Sequence, residues 1–245
     1  MTQIIAHRGN SSVAPENTLP AFAAAALAGA HMIEIDVQVA VDGSAVVIHD
    51  ASVDRTTDGA GIVAEMRAMD VRHLDAGEWF DPAYEGTALP FFGDIVSLLL
   101  RYPELELLLE LKGSWPAEPT QALLAQIEEA GLTDRVLAQS FEVEMLRTLQ
   151  TLAPAMRRAL LVQEADTQAL ATCAELGAVA CNPSSASVIA DPSAATRVHE
   201  AGMQIYTWTS SEAAEWAPLV AAGVDGIITD RPDRLAGWLA ASQAS

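Results

Sequence analysis

Met32-Ile33-Glu34-Ile35-Asp36-Val37 is an apolar, β-branched run broken at alternate positions by two carboxylates. Such a run reads as a buried strand. Strand side chains alternate faces, so Glu34 and Asp36 point one way while Ile33, Ile35 and Val37 point the other. Taking two like charges out of water side by side is costly unless a cation compensates or one carboxylate takes up a proton. A hard metal ion is the natural compensator. An edge strand with a solvated acidic face is the competing reading.

Upstream of this run, Ile4-Ile5-Ala6 reads as a short first strand that delivers His7, Arg8 and Gly9 at its end. A loop through Pro15 follows, with Asn17 expected to cap a helix whose body is Phe22 to Leu27 and which ends at Gly29. Strand, helix, strand in so few residues is a βαβ unit with parallel neighbours. Downstream, Asp42-Gly43 between two β-rich runs is a hairpin signal. A two-residue loop pairs Val41 with Ser44 and sets His49 across from Asp36, with Cβ atoms about 5 Å apart. A three-residue loop would shift that register.

Residues 51 to 90 are polar and turn-rich, which predicts an insertion on a rim. Helix 92–100 and strand 105–111 follow, and the strand again carries two charges, Glu110 and Lys112, on one face. Here a plain ion pair and a functional pair are equal readings. Beyond it, strands 136–140, 158–162, 178–181, 203–208 and 225–229 alternate with helical patterns. Eight such units in one chain predict an α/β fold: one closed (β/α)₈ barrel of the TIM type spanning 1–245, with a small insertion at about 50–90 after strand 2. In that architecture the site lies at the strand C-terminal ends. Those ends carry His7, Arg8, Glu34, Asp36, Glu110, Lys112, Gln139, Ser140, Trp208 and Asp230.

The chain has 245 residues, 51% of them hydrophobic, enough for a large core. Its 13 basic and 33 acidic side chains give a formal charge of −20, which repels nucleic acid and anionic membrane. No nucleic acid and no stable membrane association are therefore expected. Cys173 and Cys181 match no metal-ligand pattern and read as core residues in a reducing compartment. The opening residues resemble neither a signal peptide nor an anchor, so the cytoplasm is expected.

Glu34, Asp36 and Glu110, from adjacent strands, offer oxygen ligands without sulfur, which suits one divalent ion, Mg²⁺ or Ca²⁺. His7 and His49 are the side chains best suited to acid and base work near neutral pH. Arg8 and Lys112, cations in a very acidic chain, point to a phosphate ligand. Trp208 reads either as core or as an apolar wall for substrate. His31, His73 and His199 read as structural or surface residues. No Walker A loop, dinucleotide glycine fingerprint, His-Glu-x-x-His or Gly-x-Ser-x-Gly occurs.

Together, His7-Arg8-Gly9, Pro15-Glu16-Asn17-Thr18, Glu34-Ile35-Asp36, His49-Asp50, Asp54-Arg55-Thr56-Thr57-Asp58-Gly59, Glu110-Leu111-Lys112 and Gly226-Ile227-Ile228-Thr229-Asp230-Arg231-Pro232 resemble the glycerophosphodiester phosphodiesterase family. The chain departs from the family pattern at Leu89-Pro90-Phe91-Phe92-Gly93 and at Trp208-Thr209-Ser210-Ser211. The resemblance implies a divalent metal on Glu34, Asp36 and Glu110, His7 and His49 as the acid/base pair, and Arg8 and Lys112 on phosphate. It also implies hydrolysis of a small-molecule glycerophosphodiester to glycerol 3-phosphate and an alcohol. In the family mechanism the glycerol 2-hydroxyl attacks phosphorus and water then opens the cyclic phosphate. Two other readings are a lysophospholipase D-type enzyme, with Trp79, Phe80, Tyr84, Phe91 and Phe92 as an apolar entrance, and a barrel that binds phosphodiesters without cleaving them.

Overall fold

Strand β1 (Gln3–Ala6) pairs in parallel with both β2 (Met32–Val39) and β9 (Gly226–Thr229), and this double pairing closes the sheet into a barrel. The computed structural model describes residues 2–243. Between β2 and β9 the staves run β4 (Glu106–Leu111), β5 (Val136–Ser140), β6 (Arg157–Val162), β7 (Ala180–Pro183) and β8 (Gln204–Thr207), all parallel. A short β3 (Ala45–Val47) lies antiparallel on β2, outside the ring. The α-helices are α1 (Leu19–Leu27), α2 (Ala68–Val71), α3 (Phe92–Arg101), α4 (Ala117–Glu129), α5 (Val143–Leu152), α6 (Thr167–Leu176), α7 (Ser185–Ala190), α8 (Ser193–Glu200), α9 (Ala213–Ala222) and α10 (Pro232–Gln243), with short 3₁₀ turns at Val63–Glu65, Pro82–Tyr84 and Thr133–Arg135. The eight barrel strands are the ones the hydrophobic pattern predicts. Helix α7 is not among those expectations: six residues capped by Ser184 are too short to show a helical period.

Period-two alternation sorts the strand residues into two cores. Outward-facing Ile33, Ile35, Val37, Leu107 and Leu109 pack against the helices. Inward-facing Ile5, Met32, Leu108, Leu137, Ala159, Ala180, Tyr206 and Ile228, one from each barrel strand, fill the interior as a plug. Two residues further along each strand path come His7, Glu34, Glu110, Gln139, Leu161, Asn182, Trp208 and Asp230. The polar rim therefore stands directly on the apolar plug.

Residues 48–91 form a small module over one side of the mouth, with its own core of Ile48, Val53, Val63, Val71, Ala76, Leu89 and Phe91 against Ala40 and Val46 of the hairpin. Phe91 and Phe92 are buried. Trp79, Phe80 and Tyr84 meet edge to face at 5.8 and 5.7 Å outside that core, with Trp79 41% exposed.

The hairpin register differs from the two-residue expectation. Val37 pairs with Val47 and Val39 with Ala45, which makes Val41-Asp42-Gly43 a three-residue loop and puts Ile48, not His49, opposite Asp36. Two local features select this loop. Gly43 takes a left-handed φ of 83°, as such loops require, and the Asp42 carboxylate accepts from the Ser44 and Ala68 N–H groups.

Gly9 illustrates how tightly the β1–α1 loop is set. Its φ is 86°, and a Cβ there would stand 2.6 Å from the Ala21 backbone carbon. Gly9→Ala should therefore lower unfolding free energy by about 1–3 kcal/mol in urea titration. Unchanged stability would contradict the close approach of this loop to α1.

Candidate active site

Glu34 and Asp36 on β2 and Glu110 on β4 place carboxylate oxygens within 4.8 Å of one another, and all three are buried. They meet because Asp36 is in register with Glu110 on the adjacent parallel strand. Lys112 and Arg8 border the cluster. The Lys112 Nζ lies 2.5 Å from Glu110 Oε1 and 2.9 Å from Asp36 Oδ1, and the Arg8 Nε lies 3.1 Å from Asp36 Oδ2. The Arg8 backbone N–H donates to Glu34 Oε2 at 2.9 Å. The Glu110–Lys112 ion pair is thus present, and it lies within the acidic cluster.

Asn17 does not cap α1; the residue before that helix is Thr18, whose side chain makes no capping bond. Instead the Asn17 amide clasps Asp36, donating to Oδ2 at 2.9 Å and accepting from the Asp36 N–H at 3.2 Å. Arg8 and Asn17 both hold left-handed backbone, φ 54° and 56°, and the Asn17 N–H donates to the Arg8 carbonyl. That local fold turns both side chains toward Asp36, where a helix cap would have turned Asn17 away.

These contacts separate the three acids electrically. Burial pushes Asp36 up, but Lys112 and Arg8 more than reverse this and hold it at about 2. Burial, then the Asp36 and Glu110 charges, push Glu34 well above the usual carboxylate range. Burial and Asp36 raise Glu110 to about 7, against the pull of Lys112. Glu110 thus retains affinity for a proton near neutral pH, and Glu34 is shifted in the same direction. A hard divalent cation fits this donor set, because it would satisfy three converging oxygens that two side-chain cations leave under-compensated.

Both candidate histidines border the same cavity. Its volume is about 170 Å³, and His7, Arg8, Glu34, His49, Glu110, Lys112, Gln139, Phe141, Leu161 and Trp208 contribute to its lining. His49 arrives although the register argument for it fails: the ladder ends at Val47, and past Ile48 the chain no longer obeys strand parity. Each ring has a carboxylate on Nδ1. His7 Nδ1 lies 2.7 Å from Asp230 Oδ1, and His49 Nδ1 lies 2.6 Å from Asp50 Oδ1. Such a partner fixes the neutral tautomer with its proton on Nδ1, leaving the Nε2 lone pair free. Burial lowers the His49 pKa, opposed by Asp36 and Asp50. Ser11 and Ser211 also donate to Asp230, whose pKa His7 helps hold at about 2 against burial.

Trp208 and Phe141 stand edge to face at 5.3 Å, and the Trp208 indole donates to the Asn182 carbonyl. The remaining histidines lie elsewhere: His31 accepts from the Ile4 N–H and His199 pairs with Asp225. The sequence assigns no site contact to Glu16, Asn17, Asp50 and Arg55, whose one signal is inclusion in the family-like motifs; it places Asp230 at a strand end without giving it a role. Among the described residues, no helix is long and apolar enough to cross a membrane.

Residues 7–234 match the model of the glycerophosphoryl diester phosphodiesterase family. A glycerophosphodiester phosphodiesterase from Caldanaerobacter subterraneus subsp. tengcongensis is 34% identical over 236 residues, 96% of each chain. Among solved structures, a glycerophosphodiester phosphodiesterase from Agrobacterium tumefaciens is 32% identical with a TM-score of 0.85, covering 97% of this chain and 100% of that one. A phosphodiesterase from Oleispira antarctica, in complex with the product sn-glycerol-3-phosphate, is 27% identical with a TM-score of 0.91, covering 98% and 97%.

The raised Glu110 has a thermodynamic signature. From its ordinary 4.5 up to about 7, the folded chain keeps a proton the unfolded chain has lost, so stability falls across that interval, by up to roughly 3 kcal/mol for this group. Asp36 acts oppositely, its stabilisation being lost as pH falls from 3.8 toward 2. Calorimetric scans in chelator should show Tm declining between pH 5 and 8, with Glu110→Gln flattening the decline. Profiles that coincide for the two proteins would contradict this electrostatic description.

Proposed function

Since the chain belongs to the glycerophosphoryl diester phosphodiesterase family, we propose that it hydrolyses glycerophosphodiesters to sn-glycerol 3-phosphate and an alcohol. The observation carrying this reading is that two imidazoles, each with a carboxylate on Nδ1, border the same small cavity as the buried acidic cluster. The product complex of the Oleispira relative supports the product named here.

Glu34, Asp36 and Glu110 would hold one divalent ion, Mg²⁺ or Ca²⁺. When bound, such an ion polarises a phosphoryl oxygen and acidifies a nearby hydroxyl. His7 and His49 perform the proton transfers: one starts neutral and accepts the proton of the attacking glycerol 2-hydroxyl at Nε2, and the other starts as the imidazolium, held by its carboxylate, and donates its Nε2 proton to the departing alkoxide. Water then opens the resulting cyclic phosphate. Asp230 and Asp50 orient the rings and stabilise their charged forms. Arg8 and Lys112 bring positive charge to the cavity wall where a phosphate enters, and the Trp208 and Phe141 rings face the substrate's carbon skeleton.

The small cavity suits a small diester better than a lysophospholipid. A protein that only bound the diester would have no use for two carboxylate-held imidazoles. The two buried thiols suit a reducing compartment, and the cytoplasm is the compartment we propose.

Release of sn-glycerol 3-phosphate from a panel of glycerophosphodiesters, with and without chelator, tests the activity. Turnover should vanish in chelator, and Glu34→Gln, Asp36→Asn or Glu110→Gln should weaken divalent-ion binding by about tenfold or more in titration calorimetry. His7→Ala and His49→Ala should each lower kcat by roughly 100-fold or more while substrate still binds. Chelator-resistant turnover, or full activity in both histidine variants, would overturn this mechanism.

A further inference from the structure

Arg55 belongs to the rim module, is not among the residues lining the cavity, and nonetheless uses its whole guanidinium fork near the site. Its Nε donates to Asp50 Oδ2 at 2.6 Å and its Nη2 to Asp50 Oδ1 at 3.2 Å. On the other side, Nη1 donates to Glu16 Oε2 and Nη2 to Glu16 Oε1, both at 2.8 Å. One guanidinium is therefore bidentate to two carboxylates at once, a geometry lysine cannot reproduce.

Each of those carboxylates holds a residue of the cavity wall. The Asp50 Oδ1 that meets Arg55 also meets His49 Nδ1. The Glu16 Oε1 that meets Arg55 also accepts from Arg8 Nη1 at 2.8 Å, and Arg8 continues to Asp36. A continuous chain of ion pairs thus runs from His49 through Asp50, Arg55, Glu16 and Arg8 to Asp36. It crosses from the module, which supplies His49, to the barrel, which supplies Arg8 and Asp36. Without the guanidinium, Asp50 and Glu16 would face each other as like charges, and both would be freed to turn away.

We propose that Arg55 is a positioning residue that fixes His49 relative to Arg8 and the acidic cluster, locking the module-borne half of the site onto the barrel-borne half. The module has supports besides Arg55. It has its own apolar core, and the Tyr84 hydroxyl tethers it independently to the Val13 carbonyl of the β1–α1 loop at 2.7 Å. The role of Arg55 in turnover rests on the reading of His49 as a proton-transfer residue, whereas its effect on the ring's position does not.

The test compares Arg55→Ala and Arg55→Lys with the parent protein by steady-state kinetics, urea unfolding and ¹⁵N NMR of the histidine rings. Both variants should fold, lose roughly 10- to 100-fold in kcat, and show His49 shifted from a single Nδ1–H tautomer to a mixture, while the His7 signals stay put. Methylguanidinium added to Arg55→Ala should restore part of the lost kcat. Should Arg55→Ala fail to fold, Arg55→Lys, which keeps the charge without the fork, carries the test alone. Parental kcat in Arg55→Lys, or a loss of kcat with His49 resonances unchanged, overturns the inference. Full activity in His49→Ala would instead remove the catalytic reading of His49 and leave the NMR result as the judge of positioning.

Discussion

Asp36 is an anion at 1% exposure with two further carboxyls beside it, and this crowding of acids inside a closed barrel is the constraint the rest of the site answers. Breaking a buried ion pair by removing one partner costs about 3–5 kcal/mol, so the compensating groups are structural necessities as much as chemical tools. Lys112 stands one residue past the end of β4, Arg8 leaves β1 in a left-handed turn, and Asn17 turns back through a second one to clasp the same carboxylate. The β1–α1 loop owes its strained backbone to this task. Glu34 and Glu110 remain under-compensated, and a divalent cation could supply the missing positive charge.

The barrel and the module divide the labour. Eight apolar side chains plug the barrel beneath the rim and give the carboxylates, His7 and Trp208 a rigid floor. His49 comes from the chain's exit into the module, so its position depends on how the module sits. Each imidazole leans on a carboxylate, but the two carboxylates differ: Asp230 is held by serine hydroxyls, Asp50 by a guanidinium. The site is therefore built from two pieces joined by charge.

Much of this was legible before any coordinates. Alternation of Glu34 with Asp36 and of Glu110 with Lys112 placed four charges on inward faces, and eight alternating units placed those faces at one barrel mouth. Where local chemistry decided the outcome, the pattern misled. A two-residue Asp42-Gly43 turn was the stronger signal, yet the Asp42 carboxylate and a left-handed Gly43 selected three residues, so His49 reached the cavity by leaving the strand rather than by facing Asp36 across it. Asn17 had the position and side chain of a helix cap, but a buried aspartate offered it two hydrogen bonds in place of one. The chain of pairs through Glu16, Arg55 and Asp50 spans 39 residues of sequence, and no local periodicity reports which carboxylate a distant arginine will meet.

The raised pKa values of Glu34 and Glu110 mean that a divalent ion bound to the cluster would displace protons. Titration of Mg²⁺ or Ca²⁺ into the chelator-stripped protein at pH 6.5, in buffers of different ionisation enthalpy, measures that exchange directly. A net release of protons is expected on binding, reduced in Glu110→Gln, because Glu34 and Glu110 are both shifted above their ordinary values. Tight binding with heats independent of the buffer would contradict it.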